Sequence, residues 1–177
     1  SELRDGFPQT AEKLFEFDAI ILDDVEAEFF SRDQLALFND FVSRRGGSLL
    51  MLGGQESFRQ GGFDRSPLRA LLPVYLHGDD AATPVGRLRL SLTRDGWLQP
   101  WVRLRPTEED EQARLRDMPE FRTLNPLSGV KPGATVLANV SDGRGQVFPA
   151  LVAQQFGRGK TAALAVGDFW RWALRRE

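Results

Sequence analysis

The spacing of apolar residues changes character several times along this chain, and each change marks an element. Phe17-Asp-Ala-Ile-Ile-Leu-Asp-Asp-Val25 has a solid apolar centre, the pattern of a strand covered on both faces, as in a parallel sheet. Ahead of it, Pro8 fixes the approach and Thr10 caps a short helix expected over Ala11 to Glu16. Leu35, Phe38, Phe41 and Val42 then recur at helical spacing. Ser31 and Gln34 have the spacing of a capping box, and Phe30 and Leu35 that of a hydrophobic staple. Arg44 and Arg45 suit the negative end of the helix dipole, and Gly46 supplies a left-handed stop, with Gly47 behind it. A second apolar run, Ser48-Leu-Leu-Met-Leu52, follows at once. Strand, helix and strand in this order predict a βαβ unit with a right-handed crossover.

Beyond this unit the period becomes two. Leu88, Leu90 and Leu92 alternate with Arg87, Arg89 and Ser91, the pattern of a strand with one wet face. Thr107-Glu-Glu-Asp-Glu111 opens a loop or short helix with its acids at the positive end. Thr135–Val140 and Val147–Phe156 read as strands joined by the turn Ser141–Gly145, and Gly157-Arg-Gly159 turns into a last strand, Thr161–Val166. No internal repeat or low-complexity linker interrupts the pattern. It predicts one α/β domain over residues 1–177, a mostly parallel sheet flanked by helices, with an antiparallel elaboration in the C-terminal half.

Composition narrows the chemistry. The 177 residues contain no cysteine, which excludes disulfides, thiolate metal sites and a cysteine nucleophile. Net charge is −2 with both signs interspersed, so no nucleic-acid footprint is expected. No run of 18 apolar residues exists, so no helical membrane segment is expected in this chain. The chain opens on Ser1 without an initiator methionine or signal peptide and stops at Glu177. It reads as a piece of something larger.

The second apolar run ends in Gly53-Gly54, followed by Gly61-Gly62. In open α/β sheets ligands collect at the carboxyl ends of strands, and glycines there let backbone approach a ligand and present amide donors. The candidate crevice comprises Asp24, Gly53, Gly54, Gln55, Ser57 and Asp168. Ser57 lacks the G-x-S-x-G setting that exposes a nucleophilic serine. Asp23, Asp24, Glu26 and Glu28 follow the first strand. Oxygen ligation of Mg²⁺ is one use for them, but solvation of a loop at a helix start accounts for them better. Gly159-Lys160-Thr161 imitates the tail of a phosphate-binding loop, but Gln154 stands where that motif needs glycine. His77, the single histidine, precedes Gly78-Asp-Asp80 and reads as solvated rather than as a general base. No cofactor and no metal are expected. Of four tryptophans, Trp97, Trp101, Trp170 and Trp172, the last two bracket Arg171. In an extended segment both would face one side, which makes them candidates for docking a neighbouring domain.

Taken together, Phe7-Pro-x-Thr10, Leu14-Phe15, Asp18-Ala-Ile-Ile21, Val25-Glu-Ala27, Phe29-Phe30, the strand-to-glycine corner, Ser57-Phe58, Gly61-Gly62, Pro67-Leu68, Leu72-Pro-Val74, Lys131-Pro-Gly-Ala-Thr135, Phe156-Gly-Arg-Gly159 and Asp168-x-Trp-Arg-Trp172 form a specific set. The set resembles the glutamine amidotransferase-like domains of bacterial membrane-anchored proteins, often found with von Willebrand A-type domains. The resemblance implies a class I glutamine amidotransferase-like, flavodoxin-like fold. It also implies a Cys at the elbow after the second strand and a His and a Glu after a later one. Here the elbow is Leu52-Gly-Gly-Gln-Glu56 and the later strand runs into Gly167-Asp-Phe-Trp170, with neither Cys nor His. Glutamine hydrolysis needs an activated thiolate and a base, so a catalytically inactive, ligand- or partner-binding module is expected. The alternatives are a hydrolase using Ser57 or the Asp23 and Asp24 acids at the Gly53–Gly62 crevice, and a purely structural docking module. Such domains open with further strands, which this fragment is expected to lack. The uncovered sheet edge then invites a homodimer. Other expected partners are further domains of the same larger protein, in a soluble domain of a membrane-anchored assembly.

Overall fold

The computed structural model of the chain describes residues 6–77 and 83–175. The Thr10 hydroxyl accepts from the Lys13 amide and opens α1 (Ala11–Leu14), which ends earlier than the expected Glu16. After it, β1 (Ala19–Leu22) takes up the centre of the first apolar run. Both halves of the capping box form at Ser31 and Gln34, starting α2 (Arg32–Asp40). The helix widens into a π-type turn over Phe41–Arg45 and stops at Gly46, whose φ of 90° is left-handed. Leu35, Phe38, Phe41 and Val42 are all buried, as their spacing predicts. Next, β2 (Ser48–Leu52) pairs in parallel with β1, from Ala19 opposite Ser48 to Leu22 opposite Met51.

The rest of the chain supplies β3 (Val74–Tyr75), β4 (Arg89–Leu92), α3 (Arg94–Trp97), α4 (Glu108–Asp117), β5 (Gly129–Val130), β6 (Thr135–Ser141), β7 (Val147–Phe156), β8 (Gly159–Leu164) and α5 (Trp170–Ala173). The acidic run after Thr107 therefore opens a full helix, with the Thr107 side chain capping the Asp110 amide. β3 and β5 form a separate two-residue ribbon, too short to leave a period in the sequence. His77 lies just past β3, exposed, with Nε2 3.3 Å from Arg69 Nη1. Gly78-Asp-Asp80, which follow it, lie outside the described residues.

Among the described residues, six strands form the main sheet in the order β1-β2-β8-β7-β6-β4. β1, β2 and β8 are mutually parallel, and each later neighbour reverses direction. Four strands, β1, β2, β8 and β6, thus point one way. β7 and β4 oppose them and make the antiparallel half. Ile20, Leu22, Leu49, Met51, Val152 and Ala163 join α2 in one core. Val140, Phe148, Ala150, Leu151, Leu164 and Val166 build a second. Alternation along β1 sends Ile21 away from the α2 side, and there it is 61% exposed. β1 closes the strand order and β4 the other end, so among the described residues each has one edge without a strand partner.

The segment Trp170–Ala173 corrects one expectation. It is a helical turn, not extended chain, so residues two apart diverge by about 200° instead of sharing a side. Trp172 turns inward, its ring 4.9 Å from that of Phe121 and its Nε1 donating to the Pro119 carbonyl at 2.8 Å. Trp170 turns outward and is 59% exposed.

Candidate functional site

Parallel β1, β2 and β8 bring three carboxyl ends to one side of the sheet, carrying Asp23-Asp24, Gly53-Gly54 and Gly167-Asp168. Asp24 makes the turn out of β1 in a left-handed conformation, φ 51°, which aspartate tolerates better than most side chains. Its Oδ1 accepts from the Glu56 amide at 2.7 Å, tying the first loop to the glycine corner. A Cβ placed on Gly54 would collide with this carboxylate. Gly53 is hemmed in equally, since a Cβ there would lie 2.6 Å from the Ala165 and Val166 carbonyls and 2.7 Å from Asn125 Oδ1. Both glycines are required by close approach of protein groups.

The group that fills the corner is Asn125, which reasoning from the sequence did not single out. Phe121 to Asn125 runs as a pseudo-strand. Leu124 bridges Val166, the Gly167 amide donates to the Thr123 carbonyl at 3.3 Å, and the Asn125 amide donates to the Ala165 carbonyl at 2.8 Å. This delivers the buried Asn125 side chain onto Gly54. Its Oδ1 accepts from the Gly54 amide at 3.0 Å, while Nδ2 donates to the Gly54 carbonyl at 2.8 Å and to Gln60 Oε1 at 3.2 Å. An amide side chain supplies donor and acceptor together, so it satisfies both backbone groups of one residue. The available signal was Asn125-Pro126, a step that favours turn initiation.

Asp24, Gly53, Gly54 and Ser57 meet at this corner, and Gln55 lies exposed on its surface. Ser57 is only 2% exposed. Asp168 belongs to the adjoining loop. Its carboxylate accepts from the Arg122 amide and the Thr123 hydroxyl and pairs with Arg171 Nη1 at 3.1 Å. The Arg171 guanidinium also reaches the Glu120 carbonyl at 2.7 Å. Asp168 and Arg171 together hold the pseudo-strand that presents Asn125. Around the rim, desolvation first, then the charges of Glu26 and Asp24, push the Glu56 carboxyl above its ordinary pKa. Among the described residues no group of His, Cys, Asp and Glu has the arrangement of a metal site, and no helix is long and apolar enough to cross a membrane.

A parallel βαβ start, a glycine corner after the second strand and an antiparallel second half define an α/β domain of the glutamine amidotransferase-like fold. Residues 1–174 match the family described as "Putative glutamine amidotransferase", and the chain belongs to that family. No curated protein matches at a significant level. Among solved structures, the chain is similar to the cytoplasmic protein STM3548 from Salmonella typhimurium (22% identity, 96% of this chain and 68% of that one, TM-score 0.73). It is also similar to the cytoplasmic protein STM1381 from Salmonella typhimurium LT2 (26% identity, 95% and 68%, TM-score 0.66). A β-galactosidase from Rahnella sp. R3 shares the fold over 88% of this chain and 21% of its own, at 17% identity and a TM-score of 0.52.

Proposed function

We propose that this domain does not hydrolyse glutamine and serves as a binding module within a larger, membrane-anchored bacterial protein that also carries von Willebrand A-type domains. The observation that carries the first half is the sealed corner. Where the family's chemistry would place a nucleophile, Asn125 bonds both backbone groups of Gly54, and Asp24 takes up the space beside it. A nucleophile must project from the corner toward substrate with a base in reach. Here no side chain fits on either glycine, and the chain has no cysteine. Ser57 and the acids make a poor case for a hydrolase, because the serine is buried and the Asp24 oxygen is taken by a backbone amide.

Exposed apolar residues favour docking over catalysis. Phe29, Phe169 and Trp170, in segments that follow β1 and β8, are exposed, and so is Ile21 within β1. Large exposed apolar side chains suit an interface with a neighbouring domain. The membrane-anchored setting is proposed on the resemblance of the motifs alone.

Two measurements test this reading. Ammonia release from glutamine and hydrolysis of a nitrophenyl ester are expected to stay at the level of heat-denatured protein. Turnover that co-purifies with the protein and disappears in Ser57→Ala would overturn it. Hydroxyl-radical footprinting should show Trp170 oxidised in the isolated domain and protected in the larger protein, and equal oxidation in both would remove the docking role.

A further inference from the structure

The far edge of the sheet carries a second feature, independent of the glycine corner. In an antiparallel strand, alternate residues turn their amide and carbonyl to opposite sides. Thr93 donates inward, to the Leu137 carbonyl on β6, whereas Leu88 exchanges both of its bonds outward with Phe121 at 2.9 and 2.8 Å. Leu90 and Leu92 have the parity of Leu88, so their amides and carbonyls point away from β6. The next pair in this outer ladder would be Leu90 with Pro119. Proline has no N–H to give, and the Pro119 carbonyl is engaged by Trp172 Nε1. The outer ladder therefore stops after one pair and leaves Leu90 and Leu92 without a described backbone partner.

A groove of about 400 Å³ lies along this stretch, between β4 and α4. Residues of both faces of β4 line it, from Arg89 to Arg94, which places it at the strand edge. Six residues of extended chain cover about 20 Å. Trp97 and Leu115 give the groove apolar walls, and its lips carry cations. Arg89 is neutralised by Glu120 at 2.8 Å, but Arg94 and Arg116 join no ion pair among the described residues. Of the carboxylates, Glu111 is neutralised by Arg114, leaving Glu108 as the single acid against two free guanidiniums.

We propose that this groove binds an extended, acidic peptide segment of a partner, which adds as a strand to β4. Backbone pairing comes from Leu90 and Leu92, and carboxylates spaced two apart meet Arg94 and Arg116. A covering helix, open strand donors and unpaired arginines occur together here and not at the β1 edge.

A fluorescein-labelled peptide, acetyl-Glu-Val-Glu-Val-Glu-Val-amide, is titrated into the whole chain and read by polarisation, with amide shifts followed by nuclear magnetic resonance. Binding should shift the Leu90 and Leu92 amides. The Lys-Val counterpart and a peptide N-methylated at alternate residues should each bind at least tenfold more weakly. The double variant Arg94→Glu, Arg116→Glu should reverse the preference between the two charged peptides. Both sites are exposed, and an unchanged circular dichroism spectrum checks the fold. Equal binding of acidic and basic peptides, shifts confined elsewhere, or no binding up to millimolar peptide overturns the proposal. So does a concentration-dependent shift of Leu90 in the free protein, which would assign the edge to a second copy.

Discussion

Asn125 and Gly54 lie 71 residues apart in sequence and bond reciprocally, Oδ1 to the Gly54 amide at 3.0 Å and Nδ2 to the Gly54 carbonyl at 2.8 Å. Buried backbone groups of a corner need partners because water is excluded from them. Deleting the amide in Asn125→Ala leaves two backbone groups unsatisfied, so a loss of about 2–3 kcal/mol is expected. For a domain of this size that corresponds to roughly 5–10 °C in Tm. Asn125→Asp keeps the acceptor, loses the donor to the Gly54 carbonyl and buries a charge. It should be at least as damaged at pH 7 and recover partly at pH 4.5, where a protonated carboxyl donates again. Urea midpoints at both pH values check this, and a variant as stable as the parent at pH 7 would sink it.

Asp24 and Gly54 should be energetically coupled. The carboxylate occupies the space of a Gly54 Cβ, so Gly54→Ala alone should cost about 1–3 kcal/mol through overpacking. Asp24→Gly removes the carboxylate and suits the positive φ of 51°. In that background Gly54→Ala should cost at least about 1 kcal/mol less. A double-mutant cycle by chemical denaturation measures the coupling. A value near zero would mean that the carboxylate swings away freely and does not seal the corner.

Most of the fold was legible because it rests on local signals. The capping box at Ser31 and Gln34, the buried stripe from Leu35 to Val42 and the alternation from Leu88 to Leu92 are patterns within one element. The site was legible only in part. Gly53 and Gly54 are conspicuous, yet what they approach, Asn125, arrives through a pseudo-strand held by two isolated bridges and by Asp168. Such long-range contacts leave no periodicity. Trp170 and Trp172 show the same limit. An alternating W-R-W fits a strand or a helical turn, and the Phe121 and Pro119 contacts of Trp172 favour the turn.

That difference between the two tryptophans can be measured. Trp172 stacks on Phe121, lies 5.6 Å from the Arg114 guanidinium and caps the Pro119 carbonyl. Trp172→Ala should cost about 2–3 kcal/mol, slightly below the range for fully buried tryptophan because the ring is half-buried. Trp170→Ala, on the exposed side, should stay within about 0.5 kcal/mol. Thermal denaturation of both variants separates them. Equal losses would contradict the helical turn at Trp170–Ala173.

The outer edge of β1, which pairs with no described strand, predicts self-association of the isolated domain. Light scattering from one to a hundred micromolar protein, on the order of the range where weak dimers form, should show the mass rising toward a dimer. Ile21→Lys places a charge on the exposed face of β1 and should return the mass to that of a monomer. A monomer at every concentration in the parent protein would remove this contact.

Glu111 and Arg114 make the clearest pH prediction. Burial alone would raise the Glu111 carboxyl. The Arg114 guanidinium and the Leu104 and Arg105 amides outweigh it and hold the pKa below the ordinary value. A carboxylate depressed in the folded state contributes stability above its unfolded pKa of about 4.3. That contribution is lost as pH falls through the folded value. Glu111→Gln removes the charge but keeps an acceptor and the shape. At pH 7 it should cost on the order of 2 kcal/mol, less than the ~3–5 for breaking a fully buried pair, because Arg114 retains solvent contact. Between pH 5 and pH 3 its stability should fall less steeply than that of the parent, so the two curves converge in acid. Glu56 has the opposite sign. Its carboxyl is raised by desolvation and by Glu26 and Asp24, so the parent loses stability there as pH rises past the unfolded value, and Glu56→Gln should gain stability relative to the parent over that range. Urea midpoints at half-unit pH steps check both slopes, and parallel curves for Glu111→Gln and the parent would show that this carboxylate contributes nothing through its charge.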